Sequence, residues 1–236
     1  MKARFLALIS VALCAVSCIS SVPYAEGEIE ERTYTIEGDI TALAVSAGFD
    51  VVVDATLPKG EVRITTHSDL FEDVEVAVEN NSINLKIKSF SRRPKTLKAI
   101  VPDYNYDAVA ISGGVDLLWE GCLSRNLTLA ASGGADAKIT AIETENLTVV
   151  VSGGADAEIE GVCNILTAAV SGGADLMAGA LEAKSAEVVA SGGADAVVLA
   201  TESLNIAASG GADVVYIGEP EHTDIKTSGG ASVSHR

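Results

Sequence analysis

Seven copies of one short peptide dictate what this chain can become. Ser-Gly-Gly-Ala/Val-Asp begins at Ser112, Ser132, Ser152, Ser171, Ser191 and Ser209, and a seventh copy at Ser228 ends in Ala231-Ser232 without the Asp. The spacings are 20, 20, 19, 20, 18 and 19 residues. Helix-pair repeats need about 33 residues or more, so this period selects short β-coils. The columns agree. Five residues before each Ser stand Leu127, Leu147, Leu166, Ala186 and Leu204, and three before stand Leu129, Val149, Ala168, Val188 and Ile206. The position between them is polar: Thr128, Thr148, Thr167, Glu187, Asn205, Asp224. That is the period-2 alternation of a strand, repeated coil after coil.

After each turn a second strand is expected, with Trp119, Ile139, Ile159, Ala178, Val198 and Tyr216 in one column. Gly121, Ala141, Gly161, Ala180, Ala200 and Gly218 form the next, as small residues at a second corner. Aromatic residues are only 4% of a chain that is 48% hydrophobic. Such small, branched side chains suit closely stacked strands. The sequence thus predicts an all-β, right-handed parallel β-helix of about seven coils, with strands about 4.8 Å apart. Residues 111–236 form the repeats and residues 33–110 an N-terminal β cap, as one domain over 33–236. The cap carries strand patterns at Thr33–Ile36, Phe49–Val53, Glu61–Thr65, Val74–Val78 and Ile83–Ile87. Within it Ser46-Ala47-Gly48-Phe49-Asp50 reads as a degenerate first repeat.

The N-terminus reads as an export signal. Lys2 and Arg4 precede an apolar run from Phe5 to Val16, too short to span a bilayer. It closes on Ala15-Val16-Ser17-Cys18, which resembles a bacterial lipobox. That reading makes 1–17 a signal peptide, Cys18 a lipidated N-terminus and 18–32 a linker, with the membrane reached through the acyl anchor alone. The alternative is cleavage after Ala25. Net charge is −17, which disfavours nucleic acid as a partner.

Three sets of residues invite a functional reading. Asp116, Asp136, Asp156, Asp175, Asp195 and Asp213 should line one edge, pointing outward, and like charges so spaced repel by roughly 1 kcal/mol per neighbour in water. Either each carboxylate caps the N–H groups of its own Gly corner, or adjacent pairs form a cation ladder, with Ca²⁺ the fitting ion. No other cofactor is expected. Lys86, Lys88, Arg92, Arg93, Lys95 and Lys98 cluster in an otherwise acidic chain. They form either a solvated edge or a patch for an anionic glycan or headgroup. Cys122 and Cys163 fall two coils apart, roughly 9 to 10 Å by the stacking distance. That is beyond the reach of a disulfide, so two buried thiols are expected. His67, His222 and His235 match no metal spacing, and no catalytic constellation is visible.

The repeated Ser-Gly-Gly-Ala-Asp, the early Ser46–Val51 segment, and Val215-Tyr216-Ile217-Gly218-Glu219-Pro220 before Thr227-Ser228-Gly229-Gly230 resemble the auto-transporter adhesin head GIN domain family. The resemblance covers about residues 33–234. Gly-Gly-Ala-Asp stands where the family often has Gly-x-Gly-Asp. The resemblance implies a right-handed parallel β-helix in the cell envelope, at the outer membrane or cell surface, and carries over no catalytic residue. The expectation is a non-enzymatic binding or adhesion module for a surface glycan or protein. The competing readings are a structural envelope protein without a ligand and a carbohydrate-active enzyme. An exposed ladder of apolar residues would favour the first, and a groove lined by clustered acids the last.

Overall fold

The computed structural model describes residues 22–89 and 91–236. Cys18 and the signal segment lie outside them. The first strands are β1 (Ile29–Thr35), β2 (Ala42–Ser46), β3 (Asp50–Asp54), β4 (Glu61–His67), β5 (Val74–Glu79), β6 (Ser82–Ile87), β7 (Leu97–Pro102), β8 (Ala108–Ser112) and β9 (Asp116–Glu120). The repeat region adds β10 (Asn126–Gly133), β11 (Asp136–Gly153), β12 (Asp156–Gly172), β13 (Asp175–Gly192) and β14 (Asp195–Gly210). Three short strands close the chain: β15 (Asp213–Ile217), β16 (His222–Thr227) and β17 (Ser232–His235). β1 begins at Ile29, ahead of the expected start of the domain at residue 33.

Strands stack in parallel, each repeat on its copy. Ser132, Ser152, Ser171, Ser191 and Ser209 follow one another in register, and so do the Asp positions. Each coil has a first wall before the Gly-Gly corner, a second wall after it and a short third side. The inward columns are buried as the alternation requires: Leu129, Val149, Ala168, Val188 and Ile206 in one, Trp119, Ile139, Ile159, Ala178 and Val198 in another. Seven Ser-Gly-Gly corners enclose six full turns, so the solenoid has about six turns of repeat where seven coils were expected.

The second corner departs from the expected column of small residues. Gly161 lies opposite Ile142, Ala180 opposite Glu160 and Ala200 opposite Ala183. Coils differ in length, and this corner absorbs the difference: register shifts fall between Ile139 and Ile142, Glu158 and Glu160, and Ala178 and Glu182. The Ser-Gly-Gly corner holds its register throughout; from Gly154 onward its second Gly donates to the corner below, as from Gly193 N–H to the Gly172 carbonyl at 2.7 Å.

The N-terminal third is folded into the stack out of chain order. β2 and β3 lie directly on β8 and β9, with Ser46 opposite Ser112 and Asp50 opposite Asp116. The degenerate repeat is therefore a true coil. β6 and β7, later in the chain, pair on the outer side of that coil. Residues 103–107 then carry the chain back across it, Asp107 N–H donating to the Thr41 carbonyl at 2.8 Å. β1, β4 and β5 are antiparallel and cover the open end, which a solenoid needs to shield its last edge.

Candidate functional site

The Asp column forms, and it is longer than the repeat alone indicates. Along the second wall the register runs Lys98, Asp50, Asp116, Asp136, Asp156, Asp175, Asp195, Asp213, Ser232. Asp50 was hidden in the degenerate repeat; its spacing from Ser46 was the signal that could have found it. A cation stands at one end. At the other, the Ser232 hydroxyl donates to Asp213 Oδ1 at 2.6 Å.

The expected turn cap is not the arrangement found. Corner amides donate instead to the preceding coil, as from Gly154 to the Gly133 carbonyl and from Gly173 to the Gly153 carbonyl, both at 2.8 Å. The carboxylates line the outer face of the wall, Asp175 half-buried, while their backbones serve the ladder. The repulsion is therefore not relieved at the corner. Burial, and then the charges of Asp136 and Asp50, push the Asp116 carboxyl above the ordinary range. Burial, and then Asp156 and Asp195, do the same to Asp175. Among the described residues no group of three or more His, Cys, Asp or Glu side chains could hold a metal ion. The cation ladder would have to work with carboxylates in pairs.

A raised carboxyl binds its proton more readily in the folded state than in the unfolded one. Its effect on stability therefore improves as pH falls from neutrality through the folded value. Asp175→Asn is expected to raise the melting temperature at pH 7 by about 1–4 °C, from a few tenths to about 1 kcal/mol of screened repulsion. The gain should shrink as the pH approaches 4. Sodium and calcium chloride at equal ionic strength should stabilise the wild type alike. A rise specific to calcium at millimolar concentration or below would instead make the column a cation ladder.

Beside the column runs a shallow groove of about 410 Å³. Asp50, Asp116, Asp136 and Asp156 edge it, and Val52 and Leu118, both exposed, supply apolar surface. An ion pair between Lys138 Nζ and Glu158 at 2.9 Å crosses its far part. A second groove, about 810 Å³, lies on the third side. There Leu123 and Val162 are exposed beside the Arg125–Glu145 ion pair at 2.9 Å. The first wall exposes Val150 and Val189, two coils apart in one column.

The basic cluster does not assemble as one patch. Lys86 on β6 pairs with Glu75 at 2.8 Å, and Arg92 pairs with Asp69. Lys95 lies over the Tyr24 ring, and Lys98 sits opposite Asp50 on the second wall. Arg93 holds the N-terminal segment by its backbone, accepting from Ala25 N–H at 2.9 Å and donating to the Pro23 carbonyl at 2.8 Å. Lys88 donates its own N–H to the Asp73 carbonyl at 2.8 Å. Sequence proximity overstated this cluster because β6 and β7 lie on different walls.

Cys122 and Cys163 are buried free thiols. Burial pushes Cys122 up to about 12, with Asp103 adding to it, and pushes Cys163 up to about 11. Both are packing residues rather than nucleophiles.

Residues 39–220 match the family described as "Putative auto-transporter adhesin, head GIN domain". The chain belongs to the head GIN domain family. Solved structures with the same fold include a protein described as a putative adhesin from Bacteroides fragilis NCTC 9343. It is 21% identical with a TM-score of 0.83, over 90% of this chain and 99% of that one. A protein described as a putative lipid binding protein from Parabacteroides distasonis ATCC 8503 is 18% identical with a TM-score of 0.67, over 90% and 98%. One described as a putative adhesin from Parabacteroides merdae ATCC 43184 is 15% identical with a TM-score of 0.68, over 90% and 98%. No curated protein matches the chain. This head GIN domain carries its outward residues in columns along its walls, in register from coil to coil except around the second corner.

Proposed function

We propose that this head GIN protein is exported, anchored by a lipid on Cys18, and acts as a non-catalytic adhesion module that binds a surface glycan or protein through its walls. The observation that carries the reading is the outward apolar residues. Val52 with Leu118, Val150 with Val189, and Leu123 with Val162 recur in columns or neighbouring positions rather than singly. Flat, ridged surfaces of that kind suit extended partners better than a small enclosed substrate. The acids beside the first groove repeat at every layer from Asp50 to Asp213, as an extended column and not a local cluster.

Lipidation at Cys18 gains support from the folded N-terminal segment. Cleavage after Ala25 would remove Pro23, Tyr24 and Ala25, whose backbones pair with Arg93, and Ala25 is fully buried. Cleavage before Cys18 keeps them.

Metabolic labelling with an alkyne fatty acid in the expressing bacterium should mark the wild type and not Cys18→Ala. An unmarked wild type removes the anchor. Retention of the protein on an array of glycans and extracellular proteins should fall at least tenfold in Leu118→Glu. If the wild type is retained nowhere, the adhesion reading gives way to a structural envelope role.

A further inference from the structure

Among the described residues nothing covers the end of the stack opposite the cap: β16 pairs only with β14 on its first wall, and β17 only with β15 on its second. Every residue from Glu221 to Gly230 is exposed, and Ile225, in the column buried at every earlier coil, is 38% exposed. An edge of this kind invites another strand.

The sequence of that edge is self-complementary. β16 reads His222-Thr223-Asp224-Ile225-Lys226-Thr227. An antiparallel copy turned about Ile225 sets Asp224 against Lys226 twice, Ile225 against Ile225, and Thr223 against Thr227. β17 reads Ser232-Val233-Ser234, and about Val233 it pairs Ser with Ser and Val with Val. Both centres are the second inward position from the shared Ser228 corner, Ile225 before it and Val233 after it. A twofold axis that crosses both strands at these residues pairs each strand with its own copy.

The backbone agrees. Ser228, Ser232 and Arg236 send their N–H groups back to the preceding coil at 2.9, 3.0 and 3.0 Å. By alternation, the N–H and C=O groups of Thr223, Ile225, Thr227 and Val233 face the bare edge. Those are the residues that exchange paired hydrogen bonds when the centres are Ile225 and Val233. The edge left uncovered runs from Gly218 to Arg236, just short of the roughly 20–30 residues a side of an ordinary interface.

We propose that two copies of this protein join tail to tail, β16 on β16 and β17 on β17, about a twofold axis through Ile225 and Val233. The chain from residue 22 onward contains every strand described above and is the material for the test. Sedimentation across micromolar concentrations should show a monomer–dimer equilibrium. Asp224→Lys places lysines opposite one another and should weaken the dimer at least tenfold. The swap of Asp224→Lys with Lys226→Asp restores opposite charges under the same axis and should recover it. Ile225→Cys should cross-link to its own copy under mild copper-phenanthroline oxidation, since paired Cα atoms about 5.5 Å apart lie within disulfide reach. A monomer at every concentration overturns the proposal. So does a dimer that ignores the single charge reversal or fails to cross-link at Ile225.

Discussion

Gly192→Ala is expected to lower stability by about 3–4 kcal/mol and to split the solenoid into two parts of unequal stability. Gly192 has φ +83°, and a Cβ there would stand 2.8 Å from the Gly172 carbonyl oxygen and 3.1 Å from its nitrogen. The left-handed conformation alone costs a side-chain-bearing residue about 1–2 kcal/mol. The contact adds to this by prising apart the Gly193 to Gly172 hydrogen bond. Coils contact only their neighbours, so the damage should stay local at first. Hydrogen exchange should quicken over residues 195–236 well before the region around Trp119 responds. Uniform loss of protection along the chain would mean the stack unfolds as one unit and that the corner is not its weak link.

Trp119→Ala is expected to cost about 3–5 kcal/mol. Trp119 is fully buried at the junction where β9 meets β3 on one side and β11 on the other. Tyr106 packs edge-on against it with ring centroids 5.7 Å apart, and its indole N–H reaches Asp103 at 3.2 Å. Tyr106 in turn donates to the Pro102 carbonyl at 2.7 Å. This cluster fastens the 103–107 crossover, so losing it should loosen the out-of-order β6–β7 layer as well as leave a cavity. Urea unfolding followed by circular dichroism measures the cost, since Trp119 is the sole tryptophan. A loss below about 1 kcal/mol would show that the crossover is held elsewhere.

The repeat was legible because strand alternation and stacking are both periodic, and a period is visible in one dimension. The Leu129–Ile206 and Trp119–Tyr216 columns needed nothing more than counting from each Ser. The second corner was not legible. Its residues are small, but coils of 18 to 20 residues cannot all keep one register there, and which residue absorbs the difference depends on packing. The N-terminal third hid its topology for another reason. Nothing local to Ser82–Pro102 says that it pairs outside β2 and β3, because that choice lies between distant strands. The Asp column was half legible. Its alignment followed from the spacing, but the fate of the corner amides did not. A carbonyl one coil below competes with the carboxylate and wins, and sequence counting does not see the coil below.

The chain enters this column at its capped end, where Tyr24 and Ala25 bridge to Arg93, and leaves it at β17, nine layers along. The height between is about 40 Å at the strand spacing. From Ser152 onward the Ser-Gly-Gly corners repeat one geometry, so a whole coil duplicated or deleted between two of them keeps the register of that corner and leaves the second corner to absorb the difference. Each such change moves the far tip by about 4.8 Å relative to whatever holds the N-terminus. The length of the column is thus quantised, in steps of one coil.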